Sequence, residues 1–174
     1  MKKVKRVLTS VLIGIIVISS LTSCGKTKFK ADSGFFYSSD KGHTYGDGTK
    51  EYSVGETVYM KVKYHVTSDS KKEKKVKVVL TIPNVENVDA KYMDGQVITP
   101  NYDAANNVTT YEFTANASKE SNEQECVIQF IPNAVGSVTM TLVFDDKLDS
   151  SYDKQSTLVF VEPTEEDTSE DVEE

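Results

Sequence analysis

The sequence predicts an all-β domain folded as a two-sheet antiparallel sandwich, and three observations predict it. Apolar and polar residues alternate with period two in one segment after another, the pattern of strands with one face on a core and one in water. Between those segments lie Pro83-Asn84, Asp94-Gly95, Asn106-Asn107, Pro132-Asn133 and Asp145-Asp146, all turn chemistry. No stretch sustains the 3.6-residue period of a long amphipathic helix. About 130 residues carrying roughly seven to nine short strands suit two facing sheets, because alternate positions can fill one shared core.

The first residues read as a targeting segment. Lys2, Lys3, Lys5 and Arg6 precede an almost wholly apolar run over residues 7–18, the length of a secretory core and short of the roughly 20 residues that a spanning helix needs. Leu21-Thr22-Ser23-Cys24-Gly25 follows and resembles the bacterial lipobox. In that family the cysteine sulfur receives a diacylglycerol, the chain is cut just before it and the new N-terminus is often acylated, palmitate being a typical chain. The resemblance implies a lipoprotein signal peptide over residues 1–23, a lipidated Cys24 and a stem over residues 24–32. It implies export and anchoring to the outer face of the bacterial cell membrane, since burial of about 0.8 kcal/mol per CH₂ makes two or three acyl chains an essentially permanent tether.

The sandwich is expected over residues 33–162. Near its start, Ser38-Ser39-Asp40-Lys41-Gly42-His43-Thr44-Tyr45 resembles the Asp-box, Ser-x-Asp-x-Gly-x-Thr-Trp, with Tyr replacing Trp. That family's motif is a hairpin turn in which Asp and the hydroxyls satisfy backbone groups, Gly takes the left-handed position and the ring packs beneath. It recurs in sialidases and other propellers; here it occurs once, which excludes a propeller.

Val58, Met60, Val62, Tyr64 and Val66 then alternate with Thr57, Tyr59, Lys61, Lys63 and His65, and Val76, Val78, Leu80 and Ile82 alternate with Lys75, Lys77, Val79 and Thr81. The polar connection over residues 67–74 suits a hairpin. Further strands are expected at residues 108–115, 125–131, 138–144 and 156–161, with shorter ones at 35–38, 88–92 and 96–98. Tyr52-Ser53-Val54-Gly55-Glu56-Thr57-Val58, a strand ending in Ile82-Pro83, and the turn Phe130-Ile131-Pro132-Asn133-Ala134-Val135-Gly136 resemble the immunoglobulin-like modules of bacterial surface proteins over residues 51–161. That resemblance implies an immunoglobulin-like sandwich, and Gly55 and Gly136 suit turns with φ above zero. The antibody pattern of two core cysteines about a Trp is absent, for the chain has no Trp.

Residues 1–23 hold four basic and no acidic groups, so removing them leaves 16 basic against 27 acidic side chains. Eight of the acids lie in residues 162–174, with no base among them; residues 163–174 read as a disordered acidic tail, because so little apolar surface cannot offset the ordering entropy. Without a strong basic patch nucleic acid is not an expected partner. Lys71-Lys72-Glu73-Lys74-Lys75 reads as a solvated turn. With Cys24 lipidated, Cys126 lacks an intramolecular partner; it shares a strand face with Ile128 and Phe130 and is expected to be buried.

Catalytic constellations are thin. The two histidines, His43 and His65, fall in the hairpin and on an outward strand face, no local Cys-His pair or zinc spacing exists, and no serine sits in a Gly-x-Ser-x-Gly elbow. No catalytic residue and no cofactor are assigned. Calcium is the one candidate ligand, at Asp145, Asp146, Asp149 and Asp153, with Asp40 and Asp47 a second acidic pair, since clustered carboxylates supply the oxygens it favours. Tyr59, Lys61 and His65, outward on one strand, form the candidate binding patch. The expected function is a lipid-anchored, non-enzymatic module binding an envelope protein or polysaccharide; an enzyme or enzyme accessory acting on cell-envelope polymer and a structural spacer lipoprotein are the alternatives the residues leave open.

Overall fold

The alternation becomes ten strands in a computed structural model, which describes residues 27–47, 51–145 and 148–163. In order they are β1 (Phe29–Ser38), β2 (Glu51–Ser53), β3 (Val58–Ser68), β4 (Lys74–Pro83), β5 (Val85–Tyr92), β6 (Asn101–Asp103), β7 (Val108–Ala117), β8 (Gln124–Pro132), β9 (Gly136–Phe144) and β10 (Lys154–Val161), with one 3₁₀ turn at Ser150–Tyr152. A four-stranded sheet runs β1-β3-β8-β5 and a six-stranded sheet β2-β10-β9-β4-β7-β6. All pairings are antiparallel except β2 with β10. The fold is the expected all-β, immunoglobulin-like two-sheet sandwich. The expected signal peptide and Cys24 lie outside the described residues, as does the expected acidic tail beyond Pro163.

The core sits where the period-two pattern puts it. Val58, Met60, Val62, Tyr64 and Val66 of β3 are buried in one sheet and Val76, Val78, Leu80 and Ile82 of β4 in the other, and Tyr64 stacks across the sheets on Phe113 of β7 at 5.7 Å. Burying an aliphatic or aromatic side chain contributes about 1.5–3 kcal/mol, and the same core continues through Ile128 and Phe130 of β8 and Met140 and Leu142 of β9. Cys126 is fully buried in it, and desolvation pushes its thiol up to about 12. Gly55 and Gly136 hold the expected positive φ, 88° and 136°.

Three expectations need correction. Residues 67–74 do not close a hairpin: β3 and β4 belong to different sheets, and the segment carries the chain from one to the other. A strand with one apolar face packs equally well beside or across from its neighbour in sequence, so alternation does not distinguish the two. The stem was expected to reach residue 32, yet β1 begins at Phe29 and pairs with β3 from Phe29↔Ser68 to Ser38↔Tyr59. Lys30, Asp32, Ser33 and Gly34 mask its pattern, a composition that an edge strand tolerates. Residues 96–98 contribute only an isolated bridge, Lys91↔Val97, with Ile98 buried and Val97 exposed.

Candidate functional site

The outward face of the four-stranded sheet presents Tyr59, Lys61, Lys63 and His65 from β3, Glu125, Val127 and Gln129 from β8, and Lys91 from β5. Cross-strand partners Lys63 and Glu125 form an ion pair at 2.6 Å, extended by Lys63 to Glu123 at 3.0 Å and Lys61 to Glu125 at 3.2 Å. Ion pairs at a half-exposed sheet surface stabilise little singly, but the ladder fixes where Lys61 stands.

Against one end of this face folds the hairpin at residues 38–45, built as its Asp-box resemblance implies. Tyr37 and Gly46 close it through reciprocal backbone hydrogen bonds of 2.7 and 2.9 Å. The Ser38 hydroxyl donates to Asp40 Oδ1 at 2.6 Å and accepts from the Gly42 amide at 2.7 Å. The Thr44 amide and hydroxyl donate to the two Asp40 oxygens at 2.7 and 2.6 Å. The Ser38 hydroxyl first, then Thr44, holds the Asp40 carboxyl well below the usual carboxylate range. Gly42 has φ of 90°, and a Cβ there would lie 3.2 Å from both the Tyr45 hydroxyl and the Tyr59 ring. Only glycine lets both tyrosines close on the turn. Tyr45 ends half-buried with the Lys61 ammonium 4.9 Å from its ring centroid, a cation–π contact.

The hairpin and sheet enclose a groove of about 400 Å³ lined by Lys41, His43, Tyr45, Tyr59, Lys61, Lys91, Met93, Val127 and Gln129. Of the expected patch, Tyr59 and Lys61 therefore meet, joined by Tyr45. His65 is placed elsewhere: its Nε2 lies 2.7 Å from the Ser121 carbonyl, beside a separate hollow lined by Asp32, Phe36, Lys63 and Glu123. Lys91, Met93, Val127 and Gln129 join from β5 and β8. Alternation marks Val127 and Gln129 as outward, but only the sheet order β3-β8-β5 brings them to Tyr59. On the other flank of the hairpin a hollow of about 360 Å³ is lined by Tyr37, Tyr52, Glu51, Glu56 and Tyr59.

The acidic loop is occupied with its own backbone. Asp149 Oδ1 accepts from the Ser151 amide at 2.8 Å and caps the 3₁₀ turn, Asp153 Oδ1 accepts from the Phe144 amide at 3.0 Å, and the Asp145 amide donates to the Lys77 carbonyl at 2.8 Å. Asp146 lies outside the described residues. Among the described residues no three His, Cys, Asp or Glu side chains converge as a metal site. Among the described residues, Asp40, Asp103, Glu125 and Asp149 have carboxyls displaced downward by hydrogen bonds or ion pairs, the opposite of what a general acid requires.

No family model and no curated protein matches the sequence. Solved structures resemble the fold at low identity. A CARDB domain from Pyrococcus furiosus, crystallised with di-metal ions, is 10% identical over 79% of this chain and 90% of that one, with a TM-score of 0.44. The C-terminal domain of the AgI/II polypeptide BspA of Streptococcus agalactiae is 15% identical over 75% of this chain and 49% of that one, at 0.49. A cohesin module from a family 33 glycoside hydrolase of Clostridium perfringens is 7% identical over 78% and 100%, at 0.48.

Proposed function

We propose that the chain is a lipoprotein exported and anchored through Cys24 to the outer face of the bacterial cell membrane, and that its sandwich binds an envelope protein or polysaccharide without catalysis. The groove between the Asp-box hairpin and the four-stranded sheet carries this reading. It gathers Tyr59 and Lys61 of β3 against Tyr45 of a hairpin held by its own hydrogen-bond network. Aromatic anchors already fixed in place cost little to order when a partner arrives, so more of the contact energy is left for affinity.

A photo-crosslinking residue placed at Gln129, inside the groove, and separately at Thr157, exposed on the opposite sheet, tests it on intact cells. A discrete adduct from position 129 alone is the expected result; identical adducts from both positions, or none, would refute a binding role for the groove. In the same cells Cys24→Ala is expected to abolish acylation and membrane retention of the mature protein. Retention of a cleaved, unacylated chain would refute the lipid anchor.

A further inference from the structure

We infer that the groove takes an anionic glycan, a polysaccharide bearing carboxylate or phosphate groups, with Tyr45 and Tyr59 against sugar faces and Lys41 and Lys91 at the charges. This rests on the surface-binding reading of the same groove and names its ligand class.

The first support is charge. Lys41, Lys61 and Lys91 line the groove with His43, and no carboxylate is among its lining residues. The surrounding body is the reverse, 16 basic against 19 acidic side chains over residues 25–161. A cationic recess in an acidic body selects a ligand that brings its own negative charge, because a neutral one would shield these ammonium groups from water and return nothing. The cations are also available. Lys41, at the hairpin tip, makes no ion pair among the described residues. Lys91 pairs with Asp89 at 3.0 Å with its side chain 46% exposed, a partnership weak enough for a ligand anion to share. Lys61 is committed to Glu125 and the Tyr45 ring and serves the floor.

The second support is the character of the surface between the charges. Tyr45 and Tyr59 each line the groove with an aromatic ring and a hydroxyl, Gln129 adds a carboxamide, and Met93, 60% exposed, forms a soft rim. A sugar ring needs this alternation, since its C–H face stacks on an aromatic ring while its hydroxyls demand hydrogen bonds at the same depth. A protein anchor would favour a drier and more uniformly apolar pocket. Nucleic acid would need a longer basic track than three lysines on an acidic body.

The experiment measures retention of the full lipidated protein, in detergent, by four immobilised polymers: polygalacturonate, phosphomannan, neutral dextran and polyglutamate. Retention by polygalacturonate or phosphomannan and not by dextran is expected, weakening as salt rises, and which of the two is retained distinguishes carboxylate from phosphate. Tyr59→Ala and Lys91→Gln are each expected to weaken that binding roughly tenfold, while Tyr59→Phe, which keeps the ring, stays within about twofold. Unchanged melting temperatures establish that the variants are folded; should Tyr59→Ala unfold, Lys91→Gln and Lys41→Gln carry the test. Dextran binding as well as the anionic glycans, polyglutamate binding better than both, or retention indifferent to these substitutions would each overturn the inference. Binding to none of the four also overturns it. A protein adduct from position 129 would in that case leave the binding role of the groove standing.

Discussion

Asp40 concentrates the chemistry of the hairpin in one side chain. Both its oxygens accept from Thr44, one also accepts from Ser38, and the ionised form is the one these donors favour. A carboxyl whose folded pKa is depressed releases its proton more readily when folded, so the unfolded chain binds more protons and stability falls on acidification. The contribution is complete above the ordinary carboxylate value of 3.8 and is lost as pH falls below it. Melting temperatures measured from neutral pH downward should therefore drop more steeply for the parent than for Asp40→Asn below about pH 4. Parallel curves would show that the network does not depend on the charge.

At the scale of elements, asparagines hold the turns at one end of the sandwich. Asn84, between β4 and β5, and Asn107, between β6 and β7, have φ of 58° and 51°, the left-handed region that asparagine tolerates better than most residues. The Asn107 amide nitrogen reaches Asn84 Oδ1 at 3.2 Å and Asn133 Oδ1 at 2.9 Å, and the Asn84 and Asn133 backbone amides donate to the Asn107 and Asn84 carbonyls. Turns from both sheets are thus pinned together at one end of the sandwich. Asn84→Val should destabilise by about 2 kcal/mol, combining left-handed strain in a β-branched residue with a lost hydrogen bond, and Asn84→Gly by about half that. Denaturant midpoints decide it: equal losses for the two would show that backbone strain plays no part.

At the scale of the molecule, the interior holds groups that resist ionisation. Burial pushes the Tyr64 and Tyr111 phenols above their ordinary range and, with a smaller opposing hydrogen bond from Ser156, that of Tyr37. The Tyr64 hydroxyl lies beside Tyr92 and Cys126 without a hydrogen bond of good geometry, so nothing there compensates a phenolate. A raised folded pKa gives stability that is complete below the unfolded value of 10 and is lost as pH rises past it. The last part of the tyrosinate absorbance, that of the buried phenols, should accordingly appear together with the loss of near-ultraviolet circular dichroism in one cooperative step above about pH 10. Tyrosinate formation carried to completion with the dichroism intact would contradict a buried phenol core.

The sequence alone determined the β class, the core positions of β3 and β4, the buried state of Cys126 and the hairpin at residues 38–45, because each depends on period-two alternation or on hydrogen bonds closed within a few residues. It also marked Tyr59 and Lys61 as outward. Only the tertiary structure decided that residues 67–74 cross between sheets, that β1 reaches back to Phe29, and that His65 turns to Ser121 while Lys91, Met93 and Gln129 join Tyr59. The physical reason is common to all three. Alternation fixes which face a side chain takes, but which strands lie side by side depends on pairing between segments 30 to 70 residues apart, as in Tyr59 opposite Gln129 and Gln129 opposite Asp89, and a surface groove is made from exactly those pairings' neighbours rather than from any one strand.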